Sequence, residues 1–226
     1  MDLTEGTING DGSDTVMGVE DVLGSSYDDT IVGNDDPNLL FGSDGNDIIS
    51  GKGGDDVGFL LLGLVGGAGD DTLFGDDGDD SLDGGAGNDL LDGGIGEDIA
   101  NNLFSEGPLQ IDLMTGAATG AGTDMLVGIE DVAGSAGDDT IVGDARGNRL
   151  YGGFGGADAI SAGIGDDLLV GDVAFCGFLQ CDPGEGAHDD VLDGGGGVDT
   201  VSYDGANGSV QVNLAEERPP ARAPTN

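Results

Sequence analysis

The sequence predicts an all-β fold, a parallel β-roll wound from very short strands, and three observations carry that prediction. Four nonapeptides stand end to end from Gly66 to Asn101, GGAGDDTLF, GDDGDDSLD, GGAGNDLLD and GGIGEDIAN, each with glycine first and Asp sixth. A fixed nine-residue period is the signature of a stacked solenoid. Leucine holds the eighth position of the first three, so only the middle residue of each closing triplet faces inward, as in a three-residue strand. The chain also has 49 glycines and no tryptophan among 226 residues, too few large apolar side chains for an ordinary two-layer core.

Each half of the period has a mechanical role. Glycines at the first, second and fourth positions allow the left-handed conformations of a tight turn and leave carbonyls uncovered, and the sixth-position Asp adds a carboxylate. Such a turn is a cage of oxygens. Thr72-Leu73-Phe74 and its successors then place Leu73, Leu82 and Leu91 in one interior stack.

The same frame places the weaker repeats in order. Asp14 and Asp29 take the sixth position, with Val16 and Ile31 behind them, and Asn38 replaces Asp in GNDDPNLLF, which keeps an oxygen but loses a charge. GSDGNDIIS at 42–50 supplies Asp47, and GKGGDDVGF at 51–59 supplies Asp56 but puts Gly58 where the inward apolar residue belongs. Asp71, Asp80, Asp89 and Asp98 follow in the contiguous run. In the second half Asp124, Asp139, Asp167, Asp190 and Asp199 fit, Asn148 repeats the Asn substitution, and Asp158 fits only with one extra residue in GGFGGADAIS.

A larger repeat overlies the small one. Residues 14–42 align without a gap onto 124–152, with 16 of 29 positions identical, including Glu20-Asp21-Val22 against Glu130-Asp131-Val132. The chain therefore divides into a first β-roll module at 1–110 and a second at 111–215, followed by a Pro-rich tail at 216–226. GVEDVL and GIEDVA read as six-residue half-coils lacking a full cage, and LLLGLV at 60–65 gives the same spacing between Asp56 and Asp71. LQIDL at 109–113 and VQVNL at 210–214 follow Asp98 and Asp199 at a common distance and read as terminal linker strands. Asp2-Leu3 matches Asp112-Leu113 in that register, so the N-terminus is expected to begin inside a linker strand of a longer array.

Charge bounds the partners. With 46 acidic and 5 basic residues the formal charge is -41, which disfavours nucleic acid and anionic membranes and favours cations. Stacked strands ~4.8 Å apart would bring like carboxylates together, at a cost of roughly 3 to 4 kcal/mol per pair at an effective dielectric of 20. A divalent ion removes that cost, so folding should be coupled to metal binding and the free chain expanded. Carboxylate and carbonyl oxygens on a flexible loop suit calcium, in multiple ions, whereas zinc, copper and iron want the nitrogen and sulfur that one histidine and two cysteines scarcely provide.

On these residues the chain resembles the repeats-in-toxin (RTX) family of secreted calcium-binding proteins, over most of 10–202 and most specifically over 66–101. The resemblance implies a right-handed parallel β-roll with two strands per 18-residue coil and calcium between successive turns on each side. It also implies sites shared between a repeat and the second one after it, pairing Asp71 with Asp89 and Asp80 with Asp98. Secretion and folding in external calcium are implied as well. The family's C-terminal export signal has no match in EERPPARAPTN, and the first twenty residues lack a signal peptide's basic start and apolar run.

The remaining motifs are read beside this frame. Phe59–Val65 is far shorter than the ~20 residues needed to span a bilayer, so it is expected as buried strand, with an exposed patch used in assembly as the alternative. Cys176 and Cys181, in an insertion near 172–184, are expected to close a small loop in an oxidising medium, or otherwise to remain free thiols. His188 reads as a solvated turn residue. The recurring Asp-Asp pairs form a ladder rather than one special constellation, and neither HExxH nor GxSxG occurs, so no catalytic activity is expected. The expected function is a calcium-binding structural module of a secreted or cell-surface protein. End-to-end self-association into a filament or surface layer, and a non-catalytic appendage of a secreted enzyme, are the alternatives.

Overall fold

A computed structural model of the chain describes residues 1–10, 12–58, 61–172, 188–203 and 211. Cys176, Cys181, Phe59, Leu60, most of VQVNL and the 216–226 tail lie outside the described residues. The molecule is built of strands. A hairpin of β1 (Thr7–Gly10) and β2 (Gly12–Thr15) opens it. There follow β3 (Asp21–Leu23), β4 (Thr30–Val32), β5 (Leu39–Asp44), β6 (Ile48–Gly53) and β7 (Leu64–Ala68). Next come β8 (Thr72–Asp77), β9 (Ser81–Ala86), β10 (Leu90–Ile95) and β11 (Ile99–Asn101). A meander of β12 (Gln110–Asp112), β13 (Ala117–Thr119) and β14 (Thr123–Val127) leads into β15 (Asp131–Ala133), β16 (Thr140–Val142) and β17 (Arg149–Gly153). The last are β18 (Ala159–Ser161), β19 (Leu168–Asp172), β20 (Val191–Asp193) and β21 (Thr200–Val201).

Outside the meander, successive strands alternate between two sheets, so each pair of repeats makes one coil. One sheet runs β20-β18-β16-β12-β13-β14-β10-β8-β6-β4 and the other β21-β19-β17-β15-β11-β9-β7-β5-β3. In the best-formed stretch Leu73 lies beside Leu91 in a parallel pair and Leu64 beside Leu82, a step of 18 residues. The expected β-roll is therefore present. Its interior is a file of single inward side chains: Ile31, Ile49, Leu73 and Leu91 on one sheet, Val22, Leu40, Leu64 and Leu82 on the other, all buried. One core cluster extends from Val22 through Val132 and Ile141 to Leu169, without a break between the two copies of the long repeat.

The interruptions behave in two ways. GVEDVL and GIEDVA each contribute a strand, β3 and β15, whose Val22 and Val132 pack inward on a shortened half-coil. LLLGLV does not add a half-coil. After Asp56 the chain makes an excursion, closed by a hydrogen bond from the Gly58 N–H to the Leu62 carbonyl at 2.6 Å, and then enters β7. Leu64, fully buried, takes the inward place that Gly58 would hold, because a glycine there leaves the interior without a side chain. Among the described residues of Phe59–Val65 only Leu64 and Val65 are strand, and pairing on either side steps by 24 residues.

At the joint between the copies, β14 stacks parallel on β10 and β15 on β11, while β12 stacks on β16 and β13 joins β12 to β14 in antiparallel fashion. The N-terminus repeats this pattern 110 residues earlier: Asp2 bridges Val32 as Asp112 pairs with Val142.

Candidate metal centre

The turns at the edges of the sheets stack into two ladders of sixth-position side chains. On one edge the backbone N–H groups of Asp29, Asp47, Asp71 and Asp89 donate to Oδ1 of Asp47, Asp71, Asp89 and Asp124, at 2.7 to 3.0 Å. On the other, Asn38, Asp56 and Asp80 donate to Oδ1 of Asp56, Asp80 and Asp98, at 2.7 to 2.9 Å. Past the joint the same step links Asp139 to Asp158 and Asp158 to Asp190, and likewise Asn148 to Asp167 and Asp167 to Asp199. Asp71 with Asp89 and Asp80 with Asp98 are the pairs that the family resemblance implies. The extra residue before Asp158 is absorbed where Gly155 and Gly156 are both left-handed, and the pairing step there becomes 19.

One oxygen of each Asp is therefore used to hold the neighbouring coil. The other, in Asp47, Asp56, Asp71, Asp80, Asp89, Asp98, Asp158 and Asp167, is buried and has no hydrogen-bond partner. An unpaired buried carboxylate oxygen is costly. Burial raises Asp47 and Asp89 above the usual carboxylate range, and lifts Asp56, Asp98 and Asp158 to about 7 and Asp71, Asp80 and, at the joint, Asp124 to about 6. Neighbouring carboxylates add to the rise, as Asp89 does for Asp71 and Asp190 for Asp158. The free oxygen folds back over the first glycine of its own turn: a Cβ on Gly84 would meet Oδ2 of Asp89 at 2.5 Å. A cation held there replaces the solvation that the carboxylates have lost. Hard oxygen donors are what calcium takes.

The second position sorts the turns into two kinds. Where the sixth residue has an orphaned oxygen, the second residue of its turn is left-handed, even when it is not glycine: Ser43 before Asp47, Lys52 before Asp56 and Asp76 before Asp80, at φ 93°, 82° and 73°. Four turns are different. Ser25 and Ser135 donate their backbone N–H groups to Oδ2 of Asp29 and Asp139 at 2.6 Å, and their hydroxyls add a second bond. Asn34 and Asp144 donate in the same way to Oδ1 of Asn38 and Asn148 at 2.9 Å. None of these four second-position residues is left-handed. Such turns satisfy their own sixth residue by hydrogen bonds. They occupy matching places in the two copies of the long repeat.

The remaining expected ligands lie at the margins. Asp124 stacks beneath Asp89 across the joint, and Asp190 and Asp199 are half-buried ends of their ladders. Asp14 is exposed in β2, opposite Ile8. Two groups of polar residues join the site without having been singled out. Glu130 is buried at the joint, where its Oε2 accepts the Asp98 N–H at 3.1 Å, in the place of a sixth-position Asp, and Arg146 pairs with its other oxygen. The fifth-position residues form a second, outer ladder that runs the opposite way: Asp70 donates to Asn46 and Asn88 to Asp70, at 3.0 and 2.8 Å. Their signal in the sequence is the recurring doublet itself, Asn46-Asp47, Asp70-Asp71, Asn88-Asp89.

In comparison with known proteins, the family described as RTX calcium-binding nonapeptide repeat matches the chain at residues 23–57, 65–100, 126–155, 133–169 and 186–210, together more than half of its length. No individual curated protein matches it.

Proposed function

Because the chain belongs to the RTX calcium-binding nonapeptide repeat family, we propose that it is a structural module that folds on binding several calcium ions, carried by a secreted or cell-surface protein. One observation carries this reading: eight buried Asp residues in two ladders each keep one oxygen with no hydrogen-bond partner, in turns whose second residue is left-handed. Asp47, Asp71 and Asp89 on one edge, Asp56, Asp80 and Asp98 on the other, and Asp158 and Asp167 beyond the joint would hold the ions. Calcium supplies the positive charge that lets neighbouring carboxylates stack. The chain's own part is to set them one coil apart and to orient them through the Oδ1 bonds. Asp29, Asp139, Asn38 and Asn148 sit in self-satisfied turns and would serve as spacers.

Circular dichroism tests the reading. In chelator the spectrum should be that of coil, and calcium in the range of about 10⁻⁴ to 10⁻³ M typical of extracellular modules should produce strand signal cooperatively. A full strand spectrum in excess chelator would defeat it.

A second reading, end-to-end association with a further module of the same kind, is favoured by the joint. β2 and β3 stand 110 residues before β14 and β15, which stack on β10 and β11. An equivalent stacking surface is thus offered by β2 and β3. Sedimentation in millimolar calcium separates the two readings, since a single monomer boundary at all concentrations removes the second.

A further inference from the structure

Asp172 is not explained by the nonapeptide frame. It closes β19 at the second position of its turn. One carboxylate oxygen from each of Asp158, Asp172 and Asp190 lies within 4.8 Å of the other two. Asp158 is 1% exposed, and both its Oδ2 and Oδ1 of Asp172 are buried without a hydrogen bond. The His188 N–H reaches Oδ2 of Asp172 at 3.4 Å, and His188 Nδ1 stands 3.6 Å from Oδ1. Asp76 holds the same second position in its own turn but is turned aside, towards the Ser50 hydroxyl at 2.6 Å and the Lys52 ammonium at 3.4 Å.

We propose that Asp158, Asp172 and Asp190 form a three-carboxylate calcium site, tighter than the others along the ladders, in which the second-position Asp172 adds a ligand to a stacked sixth-position pair. Elsewhere a stacked pair brings two sixth-position carboxylates to a site; here a third side chain joins them. Calcium affinity rises with the number of charged ligands and with the rigidity of the site. The orphaned oxygens of Asp158 and Asp172, with the Asp190 carboxylate beside them, call for a cation, and three oxygens with one imidazole at the rim favour a hard ion over zinc.

This inference rests on the calcium-binding reading above, and titration calorimetry on the full chain, stripped of metal, tests the two separately. Wild type should show one class of site about tenfold tighter than the rest. Asp172→Asn should lose that class and keep the others, while Asp172→Glu should restore it and Asp76→Asn should leave the isotherm unchanged. Manganese, read by electron paramagnetic resonance, should report the same single tight site and its loss in Asp172→Asn. A tight class that persists in Asp172→Asn, or one absent from wild type, overturns the three-carboxylate site while leaving the ladder sites standing. No saturable calcium binding to wild type at all overturns both.

Discussion

At the residue scale, the sixth-position Asp alone does not decide what a turn can bind; the conformation of the second residue does. A left-handed second residue turns its N–H away from the sixth side chain, and Asp80 and Asp89 are left with an orphaned oxygen, whereas Ser135 donates its N–H to Asp139 and closes the turn. Asp80→Asn or Asp89→Asn should therefore raise the calcium midpoint of folding by about tenfold. Asp29→Asn should shift it by less than about threefold, because an amide oxygen can still accept from Ser25. Calcium titrations followed by circular dichroism check both, and equal shifts would remove the distinction. The same residues set the pH dependence. Asp56 and Asp98 stand at about 7 in the folded coil against an ordinary value of 3.8. A carboxylate raised on folding destabilises the metal-free fold above its folded value, and that penalty disappears as pH falls towards 3.8. The metal-free chain, a coil at pH 7.5, should therefore gain strand signal in chelator as pH falls towards 5, and a circular dichroism spectrum unchanged over that range would contradict the burial of these groups.

At the scale of the element, each strand contributes a single inward side chain, so its loss should be felt at once. Leu82→Ala or Leu64→Ala removes a fully buried side chain from a file one residue wide, and should cost about 2 to 5 kcal/mol in saturating calcium. Val57→Ala, in the excursion outside the core, should cost less than about 1 kcal/mol; chemical denaturation of the three variants measures the contrast. This element shows how much was legible. A period of nine with leucine at the eighth position was enough to place Leu73, Leu82 and Leu91 in one interior, and the Asp71–Asp89 pairing followed from the family resemblance. LLLGLV misled because its spacing equals that of GVEDVL, although GVEDVL adds a strand whereas Leu64 and Val65 supply the strand that the Gly58 repeat lacks. The difference lies in which residue reaches the core, Val22 or Leu64, and that depends on pairing with strands 18 and 24 residues away. Glu130 was hidden for a related reason. It stands outside the nonapeptide frame and becomes the partner of Asp98 only when the joint brings them together across 32 residues.

At the scale of the whole molecule, the charge of -41 is arranged in two parts that answer to different ions. The fifth-position ladder and much of the remaining acid lie at the surface, where 0.15 M salt screens beyond about 8 Å. The sixth-position ladders are buried, with Asp56, Asp80 and Asp98 wholly enclosed, and monovalent salt does not screen them. Sodium chloride should therefore compact the metal-free chain without giving it strand. Calcium should do both, and should do so in one transition, because the main core cluster runs from Val22 to Leu169 across both copies of the long repeat. Small-angle scattering with circular dichroism, in chelator plus 0.5 M sodium chloride (about a Debye length of 4 Å) and then in calcium, separates the two contributions. The expected record is a smaller radius with a coil spectrum in salt, followed by one cooperative gain of strand in calcium. Strand signal in salt and chelator would mean that surface repulsion, and not the buried ladders, holds the free chain open; two separate calcium transitions would mean that the copies fold independently despite their shared core.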